Sequence, residues 1–263
     1  VLINEVFPNR NIQQGMPNII PTLDLAFYPN QRGSYNFNTS ASDLKSDGTF
    51  AQPDKTWGGI MRRIETNDFQ AANIAYLEFW LMDPFIYNQQ NSGELYFNLG
   101  EISEDQLPDR RKSFENGLAP DGNNTDKADV TTLARVPIVT TLNNFFDNAA
   151  GARDNQDLGL DGMNDAEERS FWKTDYLDQI EANFGASSPF FIQANGDPCN
   201  DNYVYYNDPN YSTTLTGITD RYARFNGQQG NSNSNKLADG TAMSSTLVPD
   251  DEDVNRDFTM NTN

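Results

Sequence analysis

Apolar and polar residues alternate most clearly over Ala75 to Met82. There Ala75, Leu77, Phe79 and Leu81 share one face, and Tyr76, Glu78 and Trp80 share the other. Leu95, Phe97 and Leu99 alternate in the same way with Glu94, Tyr96 and Asn98. Asp83-Pro84, Asn88 and Ser92-Gly93 supply turn residues between the two runs. Leu23, Leu25 and Phe27 form an earlier alternating run closed by Pro29. Trp57 to Ile64 predicts a further strand that Gly58-Gly59 loosens at its start. A period of two buries one face against a second layer, so this part predicts a β-sandwich.

The period changes further along. Leu142, Phe145, Phe146 and Ala149 fall at helical spacing before Gly151. Trp172, Tyr176, Ile180 and Phe184 recur every four residues before Gly185. A short helix is predicted over Gln106 to Phe114, and a short strand over Tyr203 to Tyr206. Residues 227–245, rich in Gly, Asn, Ser and Gln, predict an exposed loop. The run Pro249 to Asp253 reads as solvated surface. The fold class expected is mainly β: a jelly-roll-like β-sandwich with helical insertions, anchored by Trp57 and Trp80. Its parts are a β-rich 1–105, a helical insertion with an acidic loop at 106–195, and short strand and polar loops at 196–263.

Composition narrows the chemistry. The 263 residues carry a formal net charge of -20, which repels nucleic acid and anionic membrane surfaces and suits divalent cations or plain solubility. With no histidine, Ser-His-Asp and Cys-His catalysis and His-based metal sites are excluded. The one cysteine, Cys199, forms no internal disulfide and reads as a small buried filler. No run approaches the ~18 apolar residues of a membrane helix, and Val1 to Phe7 lack a signal-peptide pattern. The expectation is a soluble piece that does not itself span a membrane.

The stretch from Asp157 to Glu168 fits much of a twelve-residue calcium loop. Asp157 stands at position one, Asp161 at five, Gly162 at the turning six, Met163 at seven, Asp165 at nine and Glu168 at twelve. Asp157, Asp161, Met163, Asp165 and Glu168 are therefore the candidate calcium ligands. Position three is Gly159, so one usual side-chain ligand is missing. Asp197 and Asp201, around Pro198, are a possible source of oxygens from a second loop. The competing reading is an acidic helix start, with Asp165, Glu167 and Glu168 favouring the helix dipole.

Two other constellations compete. Glu78 with Glu101 or Glu104 offers a carboxylate pair for glycosidic cleavage, a reaction that needs the two carboxyls ~5–9.5 Å apart. Trp57, Tyr76, Trp80 and Tyr87 are aromatics suited to stacking on sugars, the basis of an alternative reading as a surface carbohydrate-binding module.

The run Tyr28-Pro29-Asn30-Gln31-Arg32-Gly33-Ser34-Tyr35-Asn36 resembles a signature of the SprA/Sov family. So do Trp57-Gly58-Gly59-Ile60-Met61-Arg62, the run Glu78 to Phe85, the run Leu99 to Asp105, and Phe114-Glu115-Asn116-Gly117-Leu118. The Asp157 to Glu168 loop, Asp197-Pro198, Arg221-Tyr222, Gly230-Asn231-Ser232 and the run Pro249 to Asp257 follow in family order. Ser34 and Asp251 depart from the residues expected there. The resemblance implies a soluble insert, the SprA amino-terminal-domain region, of a very large outer-membrane β-barrel of Bacteroidota. That barrel is the type IX secretion translocon, which serves protein export and gliding motility. It implies no catalytic residue. The partners it implies are the remaining barrel, other secretion subunits and substrates in transit, with the segment exposed extracellularly or, nearly as well, in the periplasm. Calcium is the one cofactor expected, and it rests on the loop alone.

Overall fold

The structure, a computed structural model, describes residues 1–13, 15–61, 66, 68–87, 92–100, 102–139, 145–202, 209–223, 252–255, 257, 259 and 260. The four-residue apolar spacing from Trp172 becomes one helical run. It consists of α3 (Asp165–Phe171), a π-helical turn (Lys173–Leu177) and α4 (Asp178–Phe184). The wide turn arises because the Trp172 carbonyl accepts from both Tyr176 N at 3.1 Å and Leu177 N at 3.0 Å. Gly185, at φ +90°, ends the run, and its N–H donates to Glu181 O at 2.8 Å. Next comes α5 (Pro189–Gly196), with Pro189 at its first position and Ser188 as its cap.

The core lies against this helical layer. Trp172, Tyr176, Leu177, Ile180, Phe190, Ala194 and Cys199 are buried together with Leu44. Phe37 stacks on Trp172 at 3.8 Å, while Phe184 meets Phe190 edge-on at 5.3 Å. The N-terminal contributors Tyr35, Phe37, Leu44 and Phe50 arrive on loops and turns, so irregular chain covers the helices. A smaller cluster of Leu107, Ala134, Val136 and Leu160 sits under the hairpin of β1 (Ala128–Val130) and β2 (Arg135–Pro137). Short helices α1 (Ile3–Val6), α2 (Ala152–Gln156), α6 (Pro209–Thr213) and α7 (Ile218–Tyr222) complete the elements, with a 3₁₀ turn at Pro53–Lys55.

This architecture overturns the expected jelly-roll-like β-sandwich. The β1–β2 hairpin is the one sheet among the described residues, and helix is the dominant regular structure. The alternating runs at 75–82 and 94–99 are extended and lie side by side, Phe79 reaching Phe97 at 4.6 Å, but they form no ladder. Alternation sets which way side chains point. A sheet also needs backbone partners and a covering layer, and among the described residues neither is present for these runs. Both of their faces are exposed: Leu77 is 55% and Tyr76 83% accessible. Leu23, Leu25 and Phe27 and the described part of the Trp57 run form no strand either. Trp57 and Trp80, at 82% and 83%, anchor no core.

The helix expected over 142–149 begins in residues outside the described set, and 145–149 are not helical. Gly151, at φ +79°, precedes α2 as its cap instead of stopping an earlier helix. No helix forms over 106–114; that segment wraps around Glu252. Glu252 and Asp253 are buried, contrary to a solvated acidic end. Glu252 accepts from Gln106 N at 3.1 Å and Ser113 N at 2.7 Å, and Asp253 pairs with Lys112. The Tyr203 strand, Arg62 and the polar stretch 227–245 lie outside the described residues.

Candidate functional site

The acidic loop meets the turn after α5. Asn164 caps α3 by accepting from Ala166 N and Glu167 N, and the Glu167 carboxylate returns to Asn164 N at 3.0 Å. This capping box fixes the start of α3, which presents Asp165 and Glu168 one turn apart on one side. Glu168 is buried, and its carboxylate accepts from Cys199 N at 3.1 Å. Asp161 is also buried, accepting from Met163 N at 3.0 Å and from the Cys199 thiol at 3.1 Å. Its carbonyl takes Arg135 N at 2.7 Å, tying the loop to β2.

The second loop brings Asp197, Cys199 and Asp201, all buried. Asp197 accepts from Asp201 N at 3.2 Å and Asn202 N at 3.4 Å, and Asn202 Nδ2 donates to Asp165 at 3.0 Å. The Tyr35 hydroxyl donates to Asp201 at 2.7 Å while accepting from Leu160 N at 2.7 Å, so one phenol bridges both loops. Arg32 holds the Tyr35 segment in place by donating to Asn36 O at 2.9 Å and Pro198 O at 3.3 Å.

Two sets of converging ligand atoms result, each with all members within 4.8 Å of one another. One is Asp161, Glu168 and Cys199; the other is Asp165, Glu168 and Asp197. Burial pushes Asp161 up to about 7. Burial and then the charge of Asp161 push Glu168 up to about 8, and burial likewise carries Asp201 well above the carboxylate range. Burial also raises the Cys199 thiol, which makes it a poor nucleophile.

Of the five expected ligands, Glu168 is brought together with Asp161 in one set and with Asp165 in the other. Asp157 is held by Arg153 at 2.7 Å and belongs to neither converging set. Met163 is buried in the loop beside Asp161. Gly162, at φ +65°, makes the turn its position requires, with the Arg135 carbonyl packed where a Cβ would stand. Asp197 and Asp201 join the cluster from the second loop. Tyr35, Arg32, Cys199 and Tyr176 were not anticipated there, although the compact acidic run Asp197-Pro198-Cys199-Asn200-Asp201 was a readable signal.

Among the described residues, Glu78 and Glu104 enter neither converging set. Glu78 and Glu104 are exposed on separate segments, and Glu101 is outside the described residues. Trp57, Tyr76 and Trp80 are exposed on irregular chain, and Tyr87 is exposed in a turn.

A family model, SprA_N, described as motility related/secretion protein, matches residues 175–263. The matched stretch contains α4, α5 and the Asp197–Asp201 loop, and it relates this part of the chain to motility and secretion. The Tyr28–Asn36 motif precedes it, yet Arg32 and Tyr35 dock directly on Pro198 and Asp201. No curated protein matches the chain. Among the described residues no helix is long and apolar enough to cross a membrane.

Proposed function

We propose that the chain is a structural, non-catalytic segment of the outer-membrane translocon of the type IX secretion system, serving protein export and gliding motility. The SprA_N match over 175–263 carries this reading. The exposed, extended runs at 23–27, 75–82 and 94–99 support it. Chain with alternating apolar residues and no ladder partners is suited to assembly with other strands. The remaining barrel, other secretion subunits and substrates in transit are the partners of this reading. The segment belongs at the cell outer membrane, on its extracellular side.

The carbohydrate-binding alternative loses its scaffold, because the described residues form no sandwich. Replacement of residues 75–99 by a Gly/Ser linker in the full-length protein of a gliding, secreting cell tests the proposal. Loss of both export and gliding, with the protein still present in the outer membrane, is the expected result. Undiminished export would contradict it.

A further inference from the structure

Residues 28–50 reach the helical layer as turns and irregular chain, and they are held there in the manner of a peptide ligand. Backbone meets backbone where Tyr35 N donates to Cys199 O at 2.8 Å and Phe190 N donates to Ser46 O at 3.2 Å. Asn200 Nδ2 donates to Arg32 O at 3.0 Å, and the Ser34 hydroxyl donates back to Asn200 O at 2.7 Å. Two side chains of the segment fill aromatic positions. The Arg32 guanidinium lies over the Tyr176 ring at 5.4 Å and the Phe190 ring at 5.8 Å. Phe37 stacks on Trp172 and meets Tyr176 edge-on at 5.3 Å. In peptide recognition of this kind main-chain bonds give the hold, and pockets for alternate side chains give the selectivity.

Two further observations separate the segment from the body it docks on. It is ordered by bonds of its own: Phe50 N donates to Asn30 O at 3.1 Å, Ala51 N to Asp43 O at 2.8 Å, and the Thr56 hydroxyl to Pro29 O at 3.0 Å. The segment therefore brings its docked shape with it, which lowers the ordering cost of docking. Its covalent link to the body is also loose. Between Gly48 and Leu107 no described residue is buried, so the described part of this connection adds nothing to the core. A tether that only keeps a ligand nearby supplies an effective concentration of roughly millimolar.

We propose that the face formed by α3 to α5 and the 197–201 turn is a peptide groove that reads Arg32, Tyr35 and Phe37, and that two copies of the chain exchange the 28–50 segment reciprocally. The segment of a second copy makes every contact that the chain's own segment makes, so exchange gives up only the proximity supplied by the tether. The inference is independent of the export role.

Cross-linking between two differently marked full-length chains tests it. Thr39 Oγ1 donates to Gln179 Oε1 at 3.1 Å on the exposed rim of the docked face, so cysteines at these positions report docking without entering the groove. The Thr39→Cys chain is mixed at roughly millimolar concentration with a tagged Gln179→Cys chain, under conditions that allow disulfides to form. Cys199 is buried and stays out of the reaction. The expected product is a mixed disulfide dimer, at least ~10-fold more abundant than either like pair. Adding Arg32→Ala and Phe37→Ala to the Thr39→Cys chain should cut its yield at least ~10-fold, because both aromatic contacts are lost. That chain supplies only the segment in this product, while the groove comes from the Gln179→Cys chain, whose fold near-UV circular dichroism of Trp172 verifies. The Thr39→Cys/Gln179→Cys double variant, at low concentration, closes an intrachain disulfide and verifies the geometry. Monomers alone in the mixture, with that intrachain disulfide formed, would overturn the exchange. An undiminished mixed dimer with Arg32→Ala and Phe37→Ala in place would overturn the groove.

Discussion

Gly159 and Gly185 both sit at positive φ, and they separate two reasons for glycine. Gly185 has open space around its missing Cβ, so Gly185→Ala meets only the backbone penalty, ~1 kcal/mol. Gly159→Ala meets that penalty and the Asp201 carboxylate as well, and should cost at least ~2 kcal/mol. Urea denaturation of the two variants checks the difference. Asp105 gives a pH test: burial raises its carboxyl above the ordinary range, outweighing the hydrogen bond from Arg110 N. A carboxyl with a raised folded pKa holds its proton longer in the folded chain than in the unfolded one. Its stabilising effect is therefore full below the unfolded value near 4 and is lost as pH rises through the folded value. Asp105→Asn should melt higher than the parent at pH 7 and lose that advantage at pH 4. A constant difference across this window would contradict the assignment. At this scale the sequence was informative in part. Asp161, Asp165, Glu168 and the turning Gly162 were legible because loop spacing is local. The role of Tyr35 was not, because its bonds to Leu160 and Asp201 join segments more than a hundred residues apart.

At the scale of elements, the helical pattern was readable where four-residue spacing was sustained. Trp172, Tyr176, Ile180 and Phe184 do line one continuous run, with Gly185 at its end. The shorter signals failed for physical reasons. The described part of the Leu142 to Ala149 run, 145–149, is not helical, and α2 starts only after Gly151 turns the chain. The Ser188 cap of α5 gives a direct check: its hydroxyl accepts from Phe191 N at 3.1 Å, and Ser188→Ala should cost ~1 kcal/mol by thermal or urea unfolding. Glu252 is a second element-scale device. Its carboxylate satisfies two backbone N–H groups of the 106–113 segment, beside the buried Lys112–Asp253 pair. Glu252→Ala leaves those donors without their acceptor and should destabilise by ~2–4 kcal/mol. Limited proteolysis should then cut within 106–113 first. Undiminished protection there would show that the acidic end does not fasten this segment.

For the whole molecule, the misread fold class has a single cause. The runs at 75–82 and 94–99 carry the pattern of a sheet, but among the described residues they form no ladder, and their ring contacts, Phe79 with Phe97 and Trp80 with Phe7, do not close a sandwich. The folded centre lies elsewhere, where α3 to α5 and the N-terminal loops share Trp172, Tyr176 and Phe190. The chain divides into a packed part around two acidic loops and exposed apolar runs, which under the proposed function other strands of a secretion assembly would complete. Hydrogen–deuterium exchange on the isolated chain and on the full-length protein in outer membranes tests that division most directly. The account predicts slow exchange over 165–196 in both samples, with 75–82 and 94–99 exchanging within seconds in the isolated chain and becoming strongly protected in the assembly. Equally fast exchange of those runs in both samples would contradict it.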